Sequence, residues 1–549
     1  MGSDPGMPGA RRPILPLGLA DGPAAVGGAC PHPHMSVPPA TQLDDERPPS
    51  LARGMWARFA IAGVLILLLS GAATATLALN KLNHIASEVF PRGSQIHVAR
   101  GVVETAYSGE PQTFLIIGSD RRTGSKDAFD RNNPPHSDTL LLVHLDPDSG
   151  QISVMSVPRD LLVTITTKTG QTYYPRKVNA AYTLGSQEGG TDRGAELAAE
   201  TIEHLLHVKL NGVIDVTFKG FIGVVDTLGC VYVNVDHRYF NEPNGSPETN
   251  YSAINLQPGY QKLCYENALS YVRYRHGDSD FVRVARQQDF IRNLREQVPV
   301  GNLIGEIDTV SKAVGKAVTS TFHSSASQLI ELGKLAAFSQ QKPLRQVKFQ
   351  AENVNAMIGG ESYVTSSPTL IKATVRDFLH GHEQLKLPSS SPSSHSHHGA
   401  QSSSSAALGL YPVSASGKAM AFTAAPAVPF QVEYPSVQTG PAVPQEVHVY
   451  ALEDQHKHVH HAYVAVWQQN GLGGYYDVEG VDWVNIPLFA HARTQKIGGR
   501  SYLLVDDGSH LHDIGWRTGK VIYWVNNTLL EDLSNVQMIA IAQATRALH

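Results

Sequence analysis

Hydrophobic and polar positions alternate on more than one period along this chain. The short apolar runs TFLIIGSD (113–120) and TLLLVHLD (139–146) are rich in branched residues, as buried strands should be. QISVMSVPRD (151–160) follows the turn signal PDSG and predicts a hairpin with the run before it. In GAELAAETIEHLLHV, Leu197, Ile202, Leu205 and Leu206 share a helical face. GVIDVTF, a helix through KGFIGVVDTLG, and VYVNVD continue the alternation, and helical segments are expected near 282–298, 303–318, 325–338 and 368–380. Strands with helices between them imply a layered α/β domain over 111–382.

The flanking segments differ in composition. Residues 1–55 are rich in Pro, Gly and Ala without apolar periodicity and read as disordered. No charge interrupts Phe59–Asn80, and a spanning helix needs roughly 20 apolar residues, so 56–80 is expected to be a transmembrane helix. Arg47, Arg53 and Arg58 precede it and only Lys81 follows closely, which predicts a cytoplasmic N-terminus and an extracytoplasmic remainder. A cleaved signal peptide is the other reading, since GAATATLA offers small residues. The long leader argues against it. Residues 81–110 read as a stalk and the Ser/His-rich 383–408 as a linker. In 409–549, where Trp467, Trp483, Trp516 and Trp524 gather, AYVAVWQQ, RSYLLVDDG and KVIYWVNN read as strands and LSNVQMIAIAQATRAL as a closing helix. That region is expected to be a small β-rich accessory domain.

Charge narrows the function. The 549 residues carry 44 Lys+Arg against 49 Asp+Glu, which gives no general attraction to nucleic acid, and no basic recognition helix appears before the apolar run. Against that background SYVRYRHGDSDFVRVARQQDF (270–290) is unusual: Arg273, Arg275, Arg283 and Arg286 crowd together. YVRYR, if extended, points Arg273 and Arg275 to one side. FVRVARQQDFIRNL has helical spacing, with Arg283, Arg286 and Gln287 on one face and Phe290, Ile291 and Leu294 available to a core. Such a cluster near a helix N-terminus suits a phosphate, which arginine grips with two parallel hydrogen bonds. A solvated face, or ion pairs with Asp278 or Asp280, is the plainer reading of any one of them.

Two carboxylates complement the cations. Asp120 ends one predicted strand and Asp138 opens the next, and two carboxylates with phosphate oxygens are a usual Mg²⁺ ligand set. Turn-starting or loop-capping aspartates are the alternative. GSDRRTGSK fails the spacing of a nucleotide phosphate loop. Arg159 in SVPRD and Lys177 in KVNAAY add two further cations. Cys230 and Cys264 both fall on the expected outer side, where a disulfide persists, and a structural disulfide between them is expected over the alternative of two buried thiols. The histidine runs HSHH (395–398) and HKHVHH (456–461) could take a transition metal or simply be solvated.

Taken in order, LIIGSD, HSDTLLLVHLDPDSGQISVMSVPRDLLV, KVNAAYTLG, VVDTLGCVYVNVD and LQPGYQKLCYENALSYVRYRHGDSDFVRVARQQDF resemble the extracytoplasmic domain of the LytR-CpsA-Psr family from about 112 to 300. The resemblance implies a membrane-anchored phosphotransferase that moves a glycopolymer from an undecaprenyl pyrophosphate carrier to peptidoglycan. Asp120 and Asp138 would then hold Mg²⁺. Arg159, Lys177, Arg273, Arg275, Arg283 and Gln287 would grip the pyrophosphate, with Arg159, Arg275 and Arg283 acting in catalysis and Arg286 less firmly placed. The polyprenyl tail would need an apolar groove, for which the helix at 217–229 is a candidate, though core packing explains its residues equally. A pyrophosphate hydrolase, a wall- or lipid-binding protein without turnover, and the family's older label of transcriptional attenuator remain as alternatives. The partners implied are the lipid-linked glycopolymer, peptidoglycan and the membrane, with no nucleic acid.

Overall fold

The computed structural model describes residues 79–107, 109–121, 135–167, 169–243, 253–274, 278–297, 307–323, 325–340, 344–381, 406–470 and 473–548. The expected disordered segment, the apolar run up to position 78 and the linker through 405 lie outside them. Among the described residues no helix is long and apolar enough to cross a membrane.

Strands β1 (Gln112–Ser119), β2 (Ser137–Asp146) and β3 (Gln151–Ser156) are consecutive antiparallel neighbours, as the turn signal predicts. A hairpin of β4 (Leu162–Thr166) and β5 (Thr172–Lys177) leads into helix α1 (Ala180–Leu206), which returns the chain to β6 (Gly212–Thr217), parallel to β1. Helix α2 (Phe218–Thr227) and strand β7 (Val231–Val235) come next, and β8 (Gly259–Leu263) pairs with β7. Helices α3 (Tyr265–Arg273), α4 (Asp280–Gln297) and α5 (Ile307–Ala317) follow, and β9 (Val318–Ser320) and β10 (Leu344–Val347) close the two sheet edges. The resulting mixed six-stranded sheet has the order β9-β6-β1-β2-β3-β10.

Period-two alternation gives this sheet two buried faces. Leu115, Ile117, Leu140, Leu142 and Met155 pack under α1 and the helix Pro368–His380. Phe114, Ile116, Leu141, Val143 and Val154 face the opposite way, against Phe322, Ile291 of α4 and the helix Ala326–Gln340. The layered α/β expectation therefore holds.

Two expectations need correction. Residues 81–110 are not a free stalk: a helix over 79–89 buries Ile85 and Ala86, and Ile96 and Val102 join the core under α1. YVRYR is not extended either, because Tyr271–Arg273 are the last turn of α3 and bury Ala268, Tyr271 and Val272 at helical spacing.

The C-terminal region is β-rich as expected. Strands β11 (Val443–Glu453), β12 (Val459–Asn470), β13 (Gly474–Val481), β14 (Arg493–Ile497), β15 (Arg500–Asp507), β16 (His510–Thr518) and β17 (Val521–Asn526) form a seven-stranded antiparallel sheet, ordered β11-β12-β13-β17-β16-β15-β14. The closing helix Asn535–Gln543 begins with a capping box at Ser534 and Gln537. This sheet does not stand apart as an accessory unit. Tyr232 and Tyr260 of the first region share a core with Leu452, Phe489 and Trp524, and the described residues of both regions belong to one compact unit.

Candidate functional site

Ser119 lies opposite Ser137 in the β1–β2 ladder, so Asp120 and Asp138, far apart in sequence, leave neighbouring strand ends. Asp120 Oδ1 accepts a hydrogen bond from the His136 backbone N–H at 2.6 Å, and His136 Nδ1 stands 3.7 Å from Oδ2. Burial pushes the Asp120 carboxyl up, but the His136 hydrogen bonds outweigh it and hold it below the usual carboxylate range. That side-chain bond holds His136 above its ordinary value. The sequence reading passed over His136; its only signal was adjacency to Asp138 in PHSDT.

Asp138 is paired. Arg159, just past β3, places Nη1 2.7 Å from Asp138 Oδ1 and Nε 3.6 Å from Asp160. Lys177, the last residue of β5, reaches Asp160 at 3.5 Å. From the other side α4 brings Arg283, whose Nη2 is 2.5 Å from Asp280 and donates to the Asp138 carbonyl at 3.4 Å. Gln287, one turn on, donates to the Val272 carbonyl at 3.1 Å. Arg273 ends α3 with its guanidinium 3.9 Å from the Phe218 ring centre. Arg275 lies outside the described residues. Interleaved acids thus let the cations gather without repelling one another: Asp280 is the ion-pair partner the sequence offered, and Asp160 is the acid that Arg159 and Lys177 share.

Arg286 has a different task. It is fully buried among the rings of Tyr239, Tyr271 and Tyr274, donates to the Tyr274 carbonyl at 2.8 Å, and pairs with Asp278. Helical spacing put it beside Arg283 and Gln287, but it turns into the core.

A cavity of about 1000 Å³ opens among these residues. Asp138, Asp160, Arg273, Arg283 and Gln287 line it on the polar side. Phe221 and Val224 of α2, Leu269 of α3, Ile291 and Leu294 of α4, and Val314 of α5 give it a predominantly apolar body. The helix at 217–229 therefore has residues on both the core and the cavity. A disulfide joins Cys230, just after α2, to Cys264, the residue before α3, and so ties two cavity walls together.

Asp138 lines the polar end of the cavity and Asp120 follows the neighbouring strand end, a pair of oxygen donors that suits a hard cation. Asp120 and Asp138 offer carboxylate oxygens at adjacent strand ends, and both are partly exposed. Among the described residues no group of three or more His, Cys, Asp and Glu converges to hold a metal alone. A two-carboxylate site completed by substrate phosphate and water is the kind that Mg²⁺ accepts.

The LytR_cpsA_psr family model matches residues 80–377. Biofilm regulatory protein A of Streptococcus mutans is 28% identical over 272 residues, which cover 49% of this chain and 63% of that protein. The polyisoprenyl-teichoic acid–peptidoglycan teichoic acid transferase TagV of Bacillus subtilis is 28% identical over 233 residues, 42% of this chain and 54% of TagV. Its TagU counterpart in Bacillus cereus is 29% identical over 43% of this chain and 68% of TagU. The chain thus spans a little over half the length of the first two relatives. None of the three matches covers as much as half of this chain.

Proposed function

Since the chain belongs to the LytR-CpsA-Psr family, we propose that it transfers a polyprenyl pyrophosphate-linked glycopolymer to peptidoglycan at the outer face of a membrane. The cavity carries this reading: an apolar body suited to an isoprenoid tail ends in cations suited to a pyrophosphate. Relatives named as teichoic acid–peptidoglycan transferases support the substrate class. The charge-free Phe59–Asn80 run would anchor the chain, with its N-terminus in the cytoplasm.

An acceptor hydroxyl oxygen attacks the phosphorus that bears the glycan. The bond from that phosphorus to the bridging oxygen breaks, lipid monophosphate leaves, and the hydroxyl proton passes to solvent or a nearby base. Negative charge spreads over the transferring and leaving oxygens, so fixed cations supply most of the stabilisation. Arg283 and Arg273 line the cavity from the helical side, while Arg159 and Lys177 stand behind Asp138 and Asp160 on the sheet side. An anion entering between them takes over hydrogen bonds now made to the acids. Asp120 and Asp138 would hold Mg²⁺, which supplies further charge neutralisation when bound.

The test uses the full chain in detergent with a polyprenyl pyrophosphate-linked glycan, MgCl₂ and peptidoglycan oligomers. Lipid phosphate release coupled to glycan attachment is the expected result. Release without attachment would make water the acceptor and the protein a hydrolase. Tight lipid binding without turnover would leave a binding protein.

A further inference from the structure

Helix α4 presents two working faces. Arg283, Gln287, Ile291 and Leu294 face the cavity. Val282, Ala285, Asp289 and Arg292 are buried against the C-terminal sheet, beyond the 80–377 span matched by the family. The contacts on that second face fall at both ends of the helix and in the loop before it.

At the first turn, Gly473 sits in the connection between β12 and β13 with φ +89°. A Cβ there would come within 2.8 Å of Val282 Cγ2, and Val282 is a stiff, fully buried side chain next to Arg283. Leu529 joins Val282 and Ala285 in a small core. Before the helix, Tyr475 of β13 stacks on His237 with ring centres 4.4 Å apart and planes 15° apart. His237 Nε2 is 3.9 Å from Asp278, which lines the cavity and pairs with Arg286. Toward the other end, Arg292 is tied to Asp289 and donates to His512 Nε2 at 2.9 Å. His512 Nδ1 in turn is 2.8 Å from Asp513, which Asn526 holds at 2.6 Å.

We propose that the C-terminal sheet positions the anion-binding helix, with Gly473 and His512 as positioning residues that set where Arg283 stands in the cavity. This rests on the reading of the cavity's polar end as a pyrophosphate site. A guanidinium that must meet phosphate oxygens with two parallel bonds tolerates little displacement, so the register of α4 becomes part of the site. Gly473 fixes the depth of the first turn, and the His512–Asp513 pair fixes the helix three turns further on. The contacts at Gly473 and His512 fall on Val282 and Arg292, so they reach Arg283 and Gln287 through the helix that carries them.

The experiment compares the full-length protein with Gly473→Ala, His512→Ala and His512→Gln. Binding of inorganic pyrophosphate with MgCl₂ is measured by calorimetry. Binding of geranylgeraniol, a phosphate-free polyprenol, is measured by tryptophan fluorescence. Gly473→Ala and His512→Ala should weaken pyrophosphate about fivefold or more while polyprenol affinity stays within about twofold, because the tail meets α2, α3 and α5 as well. His512→Gln, which keeps an acceptor for Arg292, should recover most of the loss. Unchanged pyrophosphate affinity in both variants overturns the proposal and leaves the pyrophosphate reading intact. Equal weakening of both ligands with a lowered melting temperature also overturns it, as the mark of a merely structural contact. A wild-type protein that binds polyprenol but no pyrophosphate overturns this proposal and the reading it rests on together.

Discussion

Arg159 Nη1 lies 2.7 Å from Asp138 Oδ1, an ion pair between the loop after β3 and the second residue of strand β2. In the proposed site the same carboxylate would also meet Mg²⁺ beside Asp120, so Asp138 would serve two partners. Asp138→Asn should lower lipid phosphate release by about 10²-fold or more in kcat, the range seen when an electrostatic group is removed from a reaction centre. Excess Mg²⁺ should restore little of it. Steady-state kinetics across a MgCl₂ titration measures both, and full recovery at high Mg²⁺ would reduce Asp138 to an affinity role.

Arg283 and Arg286 separate by consequence. Arg286→Ala leaves Asp278 buried without its cation, and breaking a buried pair costs about 3–5 kcal/mol, so the variant should unfold at clearly lower denaturant. Arg283→Ala should lose activity with a smaller change in stability, because its partner Asp280 lines the cavity and can be reached by water there. Denaturation midpoints measured beside turnover distinguish the two, and equal destabilisation would mean that Arg283 is chiefly structural.

The Cys230–Cys264 bond closes a loop with a sequence separation of 34, for which chain entropy suggests about 3–4 kcal/mol of stability. Cys230→Ser with Cys264→Ser should lose most of that. Because α2 and α3 both line the cavity, polyprenol affinity should fall as well. A double variant that binds polyprenol as tightly as the wild type would confine the disulfide to stability.

Stability should also fall in mild acid. His144 is 5% exposed, bonded through Nδ1 to Thr113 Oγ1 at 2.9 Å, and desolvation lowers its pKa to about 4. An unfolded chain takes up that proton near pH 6.5, so between about 6.5 and about 4 the unfolded state binds more protons and gains on the folded one. The contribution is full above pH 7 and is lost as pH drops through this window, to a total of about 3 kcal/mol. The urea midpoint should fall further between pH 7.5 and pH 4.5 for the wild type than for His144→Gln, and an equal fall in both would refute this account.

Some of the molecule was readable because the signal is local. The branched apolar runs, the PDSG turn and the spacing of Leu197, Ile202 and Leu206 prescribe strands, a hairpin and a helix whatever surrounds them. Of the anion-binding positions named from sequence, Arg273, Arg283 and Gln287 line the cavity, and Arg159 and Lys177 pair with acids on its wall. YVRYR misled because a run this short fits a helix as readily as a strand, and Tyr271–Arg273 complete the last turn of α3.

What the sequence by itself determined is the set of elements, the family pattern and the gathering of charge, since each depends on neighbours within a few residues or a fixed order of motifs. Only the tertiary structure decided which charge does what. Arg286 and Arg283 stand three residues apart on one helix, yet one is sealed among tyrosines and the other faces the cavity, because Tyr239 from a distant strand closes over the first. His136 entered the site through the register of β1 on β2, and His512 and Gly473 reached α4 through the docking of a second sheet. Those contacts bridge long separations in the chain, and whether a polar side chain meets water, an acid or a ring depends on what folds against it.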